Sequence, residues 1–277
     1  MFVQKSISLL TTVALSVTFA NAQFSLNKIW ETPQLPVPES VLYSANEDQL
    51  FVSLIDGEGN KKDGKGGIAI LGTDGSVKNK TWVEGLHAPK GLARYKNVLF
   101  VADLTALVRI DIPSGKILSK LEIDSAVFLN DVTVDAKGVV YVSDTRTNKI
   151  HRIKNGKQEV YMRDVKGPNG LKWISKNLYI LASSELIKVD EKKRITVVAK
   201  GLEKPGDGLE QLANGDFIAT CWPGIIYYVK ANGELHKLQD VQGQMNTADL
   251  GYNPKTGIIY IPTFNQNSVI AYQLSVK

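Results

Sequence analysis

Five polar residues lie 10 to 12 positions before the aromatic residue of a short apolar segment. They are Glu39, Lys90, Asn130, Asn169 and Asp207. Four of them offer oxygen donors, because Glu39 and Asp207 carry carboxylates and the two asparagines carry amide carbonyls. Ca²⁺ takes about six to eight oxygen ligands and accepts both kinds. If a fold brings these four side chains together, they predict a site for calcium or another divalent cation.

Two other interpretations of the same residues stay open. Lys90 could neutralise the two carboxylates in an internal salt bridge without any metal. Asn-Gly and Asp-Gly, as at Asn169 and Asp207, are also common hairpin turns. Zinc is disfavoured because its usual ligands are cysteine and histidine. The only cysteine is Cys221, expected to be a buried inert thiol, and His87, His151 and His236 lie in different parts of the chain.

The elements that position these residues are predicted from a repeat. The stretch from Phe128 to Ile153, FLNDVTVDAKGVVYVSDTRTNKIHRI, has the alternation and turn residues of three short strands. Its aromatic segment recurs along the chain as LFVSL, LFVAD, VYVSD, LYILA, DFIAT and IYIPT. The aromatics, Phe51, Phe100, Tyr141, Tyr179, Phe217 and Tyr260, are spaced by 49, 41, 38, 38 and 43 residues. A repeat of about 40 residues built from strands indicates propeller blades.

Six repeats predict an all-β fold, a six-bladed β-propeller. The innermost strands of a propeller line its central channel, so the five polar residues should converge on one axis. Phe24 to Trp30 forms a short alternating strand with no blade of its own, and the last blade lacks an outermost strand. We therefore expect the N-terminal strand to pair with the last blade and close the ring, which removes exposed sheet edges.

The first 22 residues have the pattern of a secretory signal peptide. Lys5 is followed by a mostly apolar segment and by Ala20-Asn21-Ala22, a cleavage site before Gln23. We expect export, to the periplasm or outside the cell, and a single propeller domain over residues 23–277 with no membrane anchor. The net charge of +5 comes from scattered basic residues, which does not favour nucleic-acid binding. We expect a monomer.

A Gly- and Lys-rich insert from Asp56 to Gly67 lengthens the first blade. It matches seven positions of a phosphate-binding P-loop but has Gly66 where a serine or threonine should hold magnesium. Both flanks are predicted strands, whereas a P-loop precedes a helix. A calcium loop is equally weak, since the motif's turn glycine and final glutamate are absent. Pro113-Ser-Gly115 is expected to be the turn joining the second and third blades.

Three segments resemble the regucalcin/gluconolactonase group of six-bladed propellers, which is related to diisopropyl-fluorophosphatase and the paraoxonases. They are LNDVTVDAKGVVYVSDT, GPNGLKWISKNLYIL and PGDGLEQLANGDFIAT. In that family a glutamate from blade 1, asparagines from blades 3 and 4 and an aspartate from blade 5 hold a catalytic divalent ion. The resemblance implies these roles for Glu39, Asn130, Asn169 and Asp207.

The resemblance implies hydrolysis of a lactone or similar ester, a small substrate that could be anionic. Asp207, Asn130 and Lys90 are the expected catalytic residues, with Asp207 as general base and Lys90 holding an anionic group of the substrate. The sequence departs from the family where Ser40-Val41 follows Glu39, where Val132 follows Asn130-Asp131, and at Lys90. The alternative is a binding module without catalysis, because VYVSDTRTNKIHRI also resembles an NHL repeat blade.

Overall fold

Six four-stranded antiparallel sheets form the protein, which is described by a computed structural model over residues 24–276. Each of the first five sheets uses four consecutive strands, in the chain order β2 to β5, β6 to β9, β10 to β13, β14 to β17 and β18 to β21. The sixth sheet has the order β1-β24-β23-β22. We call these sheets blades 1 to 6. This arrangement confirms the predicted six-bladed β-propeller.

The strands of blades 1 to 3 are β2 (Pro38–Ser44), β3 (Gln49–Leu54), β4 (Gly66–Gly72), β5 (Val77–Leu86), β6 (Pro89–Tyr95), β7 (Val98–Asp103), β8 (Ala106–Asp111), β9 (Ile117–Glu122), β10 (Leu129–Val134), β11 (Val140–Asp144), β12 (Lys149–Lys154) and β13 (Lys157–Met162). Those of blades 4 and 5 are β14 (Pro168–Ile174), β15 (Asn177–Ala182), β16 (Glu185–Val189), β17 (Ile195–Lys200), β18 (Leu209–Gln211), β19 (Phe217–Cys221), β20 (Ile225–Val229) and β21 (Leu235–Asp240). Blade 6 contains β22 (Gly251–Asn253), β23 (Ile258–Pro262), β24 (Val269–Val276) and β1 (Phe24–Thr32), with a short 3₁₀ helix at Phe264–Gln266.

The ring closes by pairing β1 with β24, as the sequence predicts. The register runs from Phe24 opposite Val276 to Thr32 opposite Val269, with an irregularity between Lys28 and Trp30. The N-terminal strand is thus the outermost strand of blade 6. The predicted signal peptide lies outside the described residues. Within residues 24–276, no helix has the length and apolar character needed to cross a membrane.

The core lies between neighbouring blades, where their apolar faces pack. All six repeat aromatics lie on the second strand of their blade. Phe51 and Tyr260 are fully buried, and Tyr141 stacks on Trp173 of the next blade with 4.9 Å between ring centroids. The repeat aromatic therefore packs one blade against its neighbour, which explains why it recurs in the sequence.

The turns confirm one prediction and correct another. The insert connects β3 to β4, so it is a hairpin loop and has no helix to receive a phosphate. Pro113-Ser-Gly115, however, joins β8 to β9 within blade 2, so its assignment to the boundary between blades 2 and 3 was wrong. Turn residues mark a hairpin without saying to which pair of strands it belongs.

Candidate active site in the central channel

The five polar residues predicted to converge all line one cavity of about 270 Å³. Glu39, Lys90, Asn130 and Asp207 are buried, and Asn169 is half-buried. Each belongs to a different blade, from blade 1 to blade 5, at or just before the start of its innermost strand. The cavity is completed by Gly59, Phe128, Trp222 and Phe264.

Irregular strand pairing aims these side chains into the channel. In blades 1 to 4 the register between the first and second strand shifts at the polar residue, for example between Pro38 and Ser40 around Glu39 and between Leu129 and Val132 around Asn130. Such a bulge turns a side chain away from the regular alternation of a strand. In blades 1 to 4 the polar residue lies three positions before the residue that pairs with the aromatic, so its offset from the aromatic varies only with the length of the hairpin between the two strands.

Buried hydroxyl groups fix the backbone beside three of the oxygen donors. The residues after Glu39, Asn130 and Asp207 donate their backbone N–H groups to Ser53, Ser143 and Thr220, at 2.9, 2.9 and 2.8 Å. These hydroxyls come from the second strand of the same blade. Blades 2 and 4 have Ala102 and Leu181 among the residues of their second strands and show no such bond within residues 24–276.

The glycines that follow Lys90, Asn169 and Asp207 are not hairpin residues. Gly91 and Gly170 lie inside β6 and β14, which excludes the turn interpretation of Asn169-Gly170. A Cβ on Gly91 would lie 2.5 Å from Asp131 Cα, and one on Gly208 would lie 2.7 Å from Asp249 Oδ1. The absence of a side chain therefore lets neighbouring innermost strands approach closely around the axis.

Asp207 has the environment of a proton acceptor. Burial raises the pKa of its carboxyl to about 7, and a hydrogen bond from Asn169 opposes this rise. The donor Nδ2 of Asn169 lies 2.5 Å from Oδ1 of Asp207. A carboxyl with a pKa near neutrality can exchange a proton at ordinary pH, as a general base must. Asn169 thereby links blade 4 to blade 5 at the centre of the site.

Glu39 leaves one buried oxygen unsatisfied. Its Oε2 has no hydrogen-bond partner among residues 24–276. Burial, and after it the charge of Asp207, raise the pKa of Glu39 well above its usual value. A buried carboxylate without a partner is costly, and a bound cation is one of the few groups that offsets that cost. The donor set of Glu39, Asp207, Asn130 and Asn169 therefore fits a hard divalent cation.

This donor set differs from the usual protein metal centres. Residues 24–276 contain no group of three or more histidine, cysteine, aspartate or glutamate side chains that could hold a metal ion. Half of the donors here are amides. Asn130 uses its Nδ2 to donate to Thr145 Oγ1 at 3.1 Å, and Thr145 donates in turn to the Pro168 carbonyl at 2.7 Å. These bonds orient the Asn130 amide and leave its oxygen available.

Lys90 is held by carbonyl oxygens rather than by a carboxylate. Its Nζ donates to Gly59 at 3.0 Å and to Ala88 at 2.9 Å, and it lies 4.5 Å from the centroid of the Phe128 ring. No ion pair within 4 Å joins it to an acid in residues 24–276. Burial lowers the pKa of Lys90 to about 8, against the attraction of Glu39. Lys90 Nζ therefore lies more than 4 Å from the carboxylate oxygens of Glu39 and Asp207.

Blade 6 contributes no ligand at the shared position. Ala248 occupies it: its N–H bonds to Pro262 of the second strand, as that of Asp207 bonds to Thr220. The next residue, Asp249, accepts a hydrogen bond from the Ser40 hydroxyl and joins blade 6 to blade 1. Asp249 therefore lies one residue after the shared position, before β22 begins.

A second polar layer, which the sequence analysis missed, lines an adjoining cavity of about 200 Å³ in the channel. Asp131 and Asp249 reach it from blades 3 and 6, and Lys172 pairs with Glu210 at 2.5 Å. Asp131 accepts the backbone N–H of Leu171 at 2.6 Å and so connects blades 3 and 4. The sequence signal for Asp131 was its position directly after Asn130.

Aromatic side chains form the mouth of the candidate site. Trp222 and Phe264 meet edge to face with 5.4 Å between centroids, and two cations, Lys90 and Arg146, lie over the Phe128 ring. Arg146 is exposed and lies 4.3 Å from the Phe128 centroid. None of these aromatic residues was predicted from the sequence. Trp222 directly follows the end of β19, and Phe128 precedes Asn130 by two positions. These positions indicate a place at the site only once the register of the blades is known.

None of the histidines lines this cavity. His87 accepts a hydrogen bond from the Gly64 N–H at 3.2 Å, and His151 is buried 3.7 Å from Asp144. Burial alone would raise the pKa of Asp144, but the nearby His151 imidazole and hydrogen bonds from the backbone amides of Val127 and Phe128 outweigh it and lower the pKa to about 2. Cys221 is buried as predicted, and burial raises the pKa of its thiol to about 12.

No family model and no curated protein sequence matches this chain. Solved structures do resemble it. A gluconolactonase from Xanthomonas campestris is 14% identical, with a TM-score of 0.67 over 88% of each chain. A streptogramin B lyase is 12% identical, with a TM-score of 0.66 over 94% of this chain and all of that one. A protein of unknown function from Bacteroides thetaiotaomicron, 12% identical, has a TM-score of 0.70 over 92% of this chain and 77% of its own.

At these identities the likeness establishes the fold and leaves activity and substrate open. The neighbours include both a gluconolactonase and a streptogramin B lyase. The chain has the fold of the gluconolactonase-like six-bladed β-propellers.

Proposed function

We propose that this protein is an exported, divalent-cation-dependent hydrolase of lactones or similar esters. The observation that carries the proposal is the convergence of Glu39, Asn130, Asn169 and Asp207 on one cavity, with an unpartnered buried oxygen on Glu39. These four residues would hold the cation, with calcium as the expected ion. When bound, such an ion supplies Lewis-acid polarisation of the ester carbonyl.

The residues of the chain have distinct roles in this proposal. Asp207 takes the proton from the attacking water, and Asn169 orients its carboxylate through the bond to Oδ1. Asn130 is held by Thr145 so that its oxygen faces the cavity. Lys90 keeps its ammonium beside the oxygen donors through two carbonyls, where it can receive an anionic group of the substrate.

The experiment is a substrate panel with the protein lacking residues 1–22. Aldonolactones, alkyl lactones, aryl esters and organophosphates are offered with calcium and with chelator. Turnover that disappears with chelator and in Asp207→Asn supports the proposal. Calcium binding without turnover of any member of the panel would favour the alternative, a propeller that acts as a binding module.

The structural likeness to a streptogramin B lyase makes a second reaction type worth separating. Another neighbour is a virginiamycin B lyase made inactive by replacing a histidine with alanine, whereas no histidine lines the cavity of this chain. That difference favours hydrolysis. Turnover in ¹⁸O-labelled water distinguishes the two, because hydrolysis places ¹⁸O in the product acid and a lyase reaction does not.

A further inference from the structure

We infer that the substrate presents an apolar group, alkyl or aryl, to Trp222 and Phe264, and that polyol lactones are poor substrates. This inference rests on the proposed hydrolase function and names the class of ester that the same site accepts. It is carried by the apolar surface of the cavity mouth, by the exposure of Trp222, and by the backbone conformation and hydrogen bonds that hold Trp222 and Phe264 in place.

At the mouth of the cavity, the side chains offer the substrate an apolar contact surface rather than hydrogen-bond partners. Among residues 24–276, the cavity is lined outside the five polar residues only by Gly59, Phe128, Trp222 and Phe264. A polyol would need donors and acceptors for each hydroxyl that it buries. Glu39, Asp207 and the asparagines are the groups proposed to hold the cation, so they are not free to serve a row of hydroxyls.

Trp222 is the aromatic residue whose exposure is unexplained by folding. Its side chain is 41% exposed, and it is the only aromatic among the large apolar side chains exposed within residues 24–276. The other exposed members of that set are aliphatic. A tryptophan left open at the mouth of a cavity is the usual form of a ligand contact.

Both aromatics are held in fixed positions by the backbone. The turn after Trp222 contains Gly224 at φ +121°, where a Cβ would lie 2.6 Å from the Met245 carbonyl oxygen. Trp222 itself accepts hydrogen bonds at its carbonyl from Asn246 and Thr247. Phe264 has φ +50°, which is unfavourable for an aromatic residue. Strained backbone of this kind persists where the surrounding structure enforces it, often at a ligand site.

The cations beside the mouth of the cavity add a requirement on the charge of the substrate. Lys90 and Arg146 lie 4.5 and 4.3 Å from the Phe128 centroid, so two cations occupy the surroundings of that ring. The open apolar surface is therefore that of Trp222 and Phe264, with positive charge at one edge. An ester with an apolar substituent and a carboxylate matches this arrangement.

The first test is a series of γ-lactones whose alkyl substituent grows from methyl to hexyl, compared with an aldonolactone. We expect kcat/KM to rise by about three- to fourfold for each added methylene that becomes buried. Trp222→Ala should flatten the series and lower kcat/KM for the hexyl member about tenfold or more. Leu118→Ala, at an apolar residue of β9 that is 50% exposed, is the control and should leave the slope unchanged.

The second test measures binding without turnover. Quenching of tryptophan fluorescence by 4-nitrobenzoate should be lost in Trp222→Phe, although three other tryptophans remain. Heptanoate should compete with 4-nitrobenzoate and gluconate should not, and Arg146→Gln should weaken both apolar acids. Equal competition by gluconate, or unchanged quenching in Trp222→Phe, would overturn the inference.

The two tests separate the inference from the proposed function. Turnover of aldonolactones but not of alkyl lactones would refute the inference and leave the hydrolase intact. If no lactone or ester is turned over, the hydrolase proposal fails. The fluorescence experiment then still decides whether the mouth selects apolar acids.

Discussion

Asn169 donates a hydrogen bond from Nδ2 to Oδ1 of Asp207 across 2.5 Å, so that a side chain of blade 4 orients the carboxylate of blade 5. The bond uses Oδ1, and Oδ2 of Asp207 receives no hydrogen bond from residues 24–276. It also makes the two residues a unit, so that substitutions at either position should affect the site together.

Calcium should stabilise the folded protein. A ligand at a hundredfold excess over its Kd adds about 2.7 kcal/mol to the free energy of unfolding. For a domain of this size that corresponds to a rise in Tm of roughly 5–10 °C. Thermal melts with calcium and with chelator measure it. Asp207→Asn should abolish the difference, and Asp190→Asn, at an exposed turn, should retain it.

Without a cation, stability should fall as pH rises. Burial raises the pKa of Asp207 to about 7 from an ordinary value near 3.8. The folded state therefore binds more protons than the unfolded chain, and its advantage is lost as pH rises through that interval. In chelator, Tm should be lower at pH 7.5 than at pH 5, and the dependence should be weaker in Asp207→Asn. A Tm that rises over this range in chelator would contradict the raised pKa.

Both predictions depend on Asp207, which the sequence places among the converging residues. The periodic aromatics and the oxygen donors placed before them were sufficient to predict six blades, the closing strand and the convergence of Glu39 and Asp207. They were sufficient because a strand's alternation and a blade's length are local properties. Asp131, Trp222 and Phe264 were missed because their positions depend on bulges, on turns and on neighbouring blades, which local periodicity does not encode.

The hydroxyl of Thr220 should matter to both stability and cation binding. It accepts the Gly208 N–H and donates to the Ala248 carbonyl, both at 2.8 Å. Thr220→Val keeps the shape and leaves these buried groups unpaired, at a cost of about 1–3 kcal/mol. Denaturant unfolding and calcium titration measure the two effects. Thr32→Val, which removes a buried hydroxyl bond to Gly75 far from the cavity, should lower stability and leave the calcium Kd unchanged.

Lys90→Met tests whether the ammonium binds substrate or competes with the cation. Since its Nζ is satisfied by Gly59 and Ala88 and not by an acid, we expect an unchanged calcium Kd and a loss of activity limited to anionic substrates. Calorimetric titration and paired neutral and anionic esters provide the readout. Tighter calcium binding in the variant would mean that the lysine repels the ion.

Gly91→Ala should be strongly destabilising. The added Cβ would lie 2.5 Å from Asp131 Cα, in backbone that cannot move without displacing blade 3. Overpacking of this kind costs about 1–3 kcal/mol or more. Gly59→Ala is the matched control, because its Cβ would first meet Ile55 at 3.8 Å. Equal denaturation midpoints for the two variants would mean that neighbouring inner strands are less tightly apposed than described.

The pairing of β1 with β24 closes the ring, and its loss would open the ring at blade 6. Phe24 finds its partner Val276 at the far end of the described chain, so this contact has the highest loop-closure cost in the fold. If β1 detaches, β24 becomes a free edge with Val269, Ile270 and Ala271 behind it. The β1 strand of a second copy of the chain has the same sequence and would pair with that edge. Strand exchange between chains, giving dimers or longer assemblies, is therefore the expected result of a weakened closure.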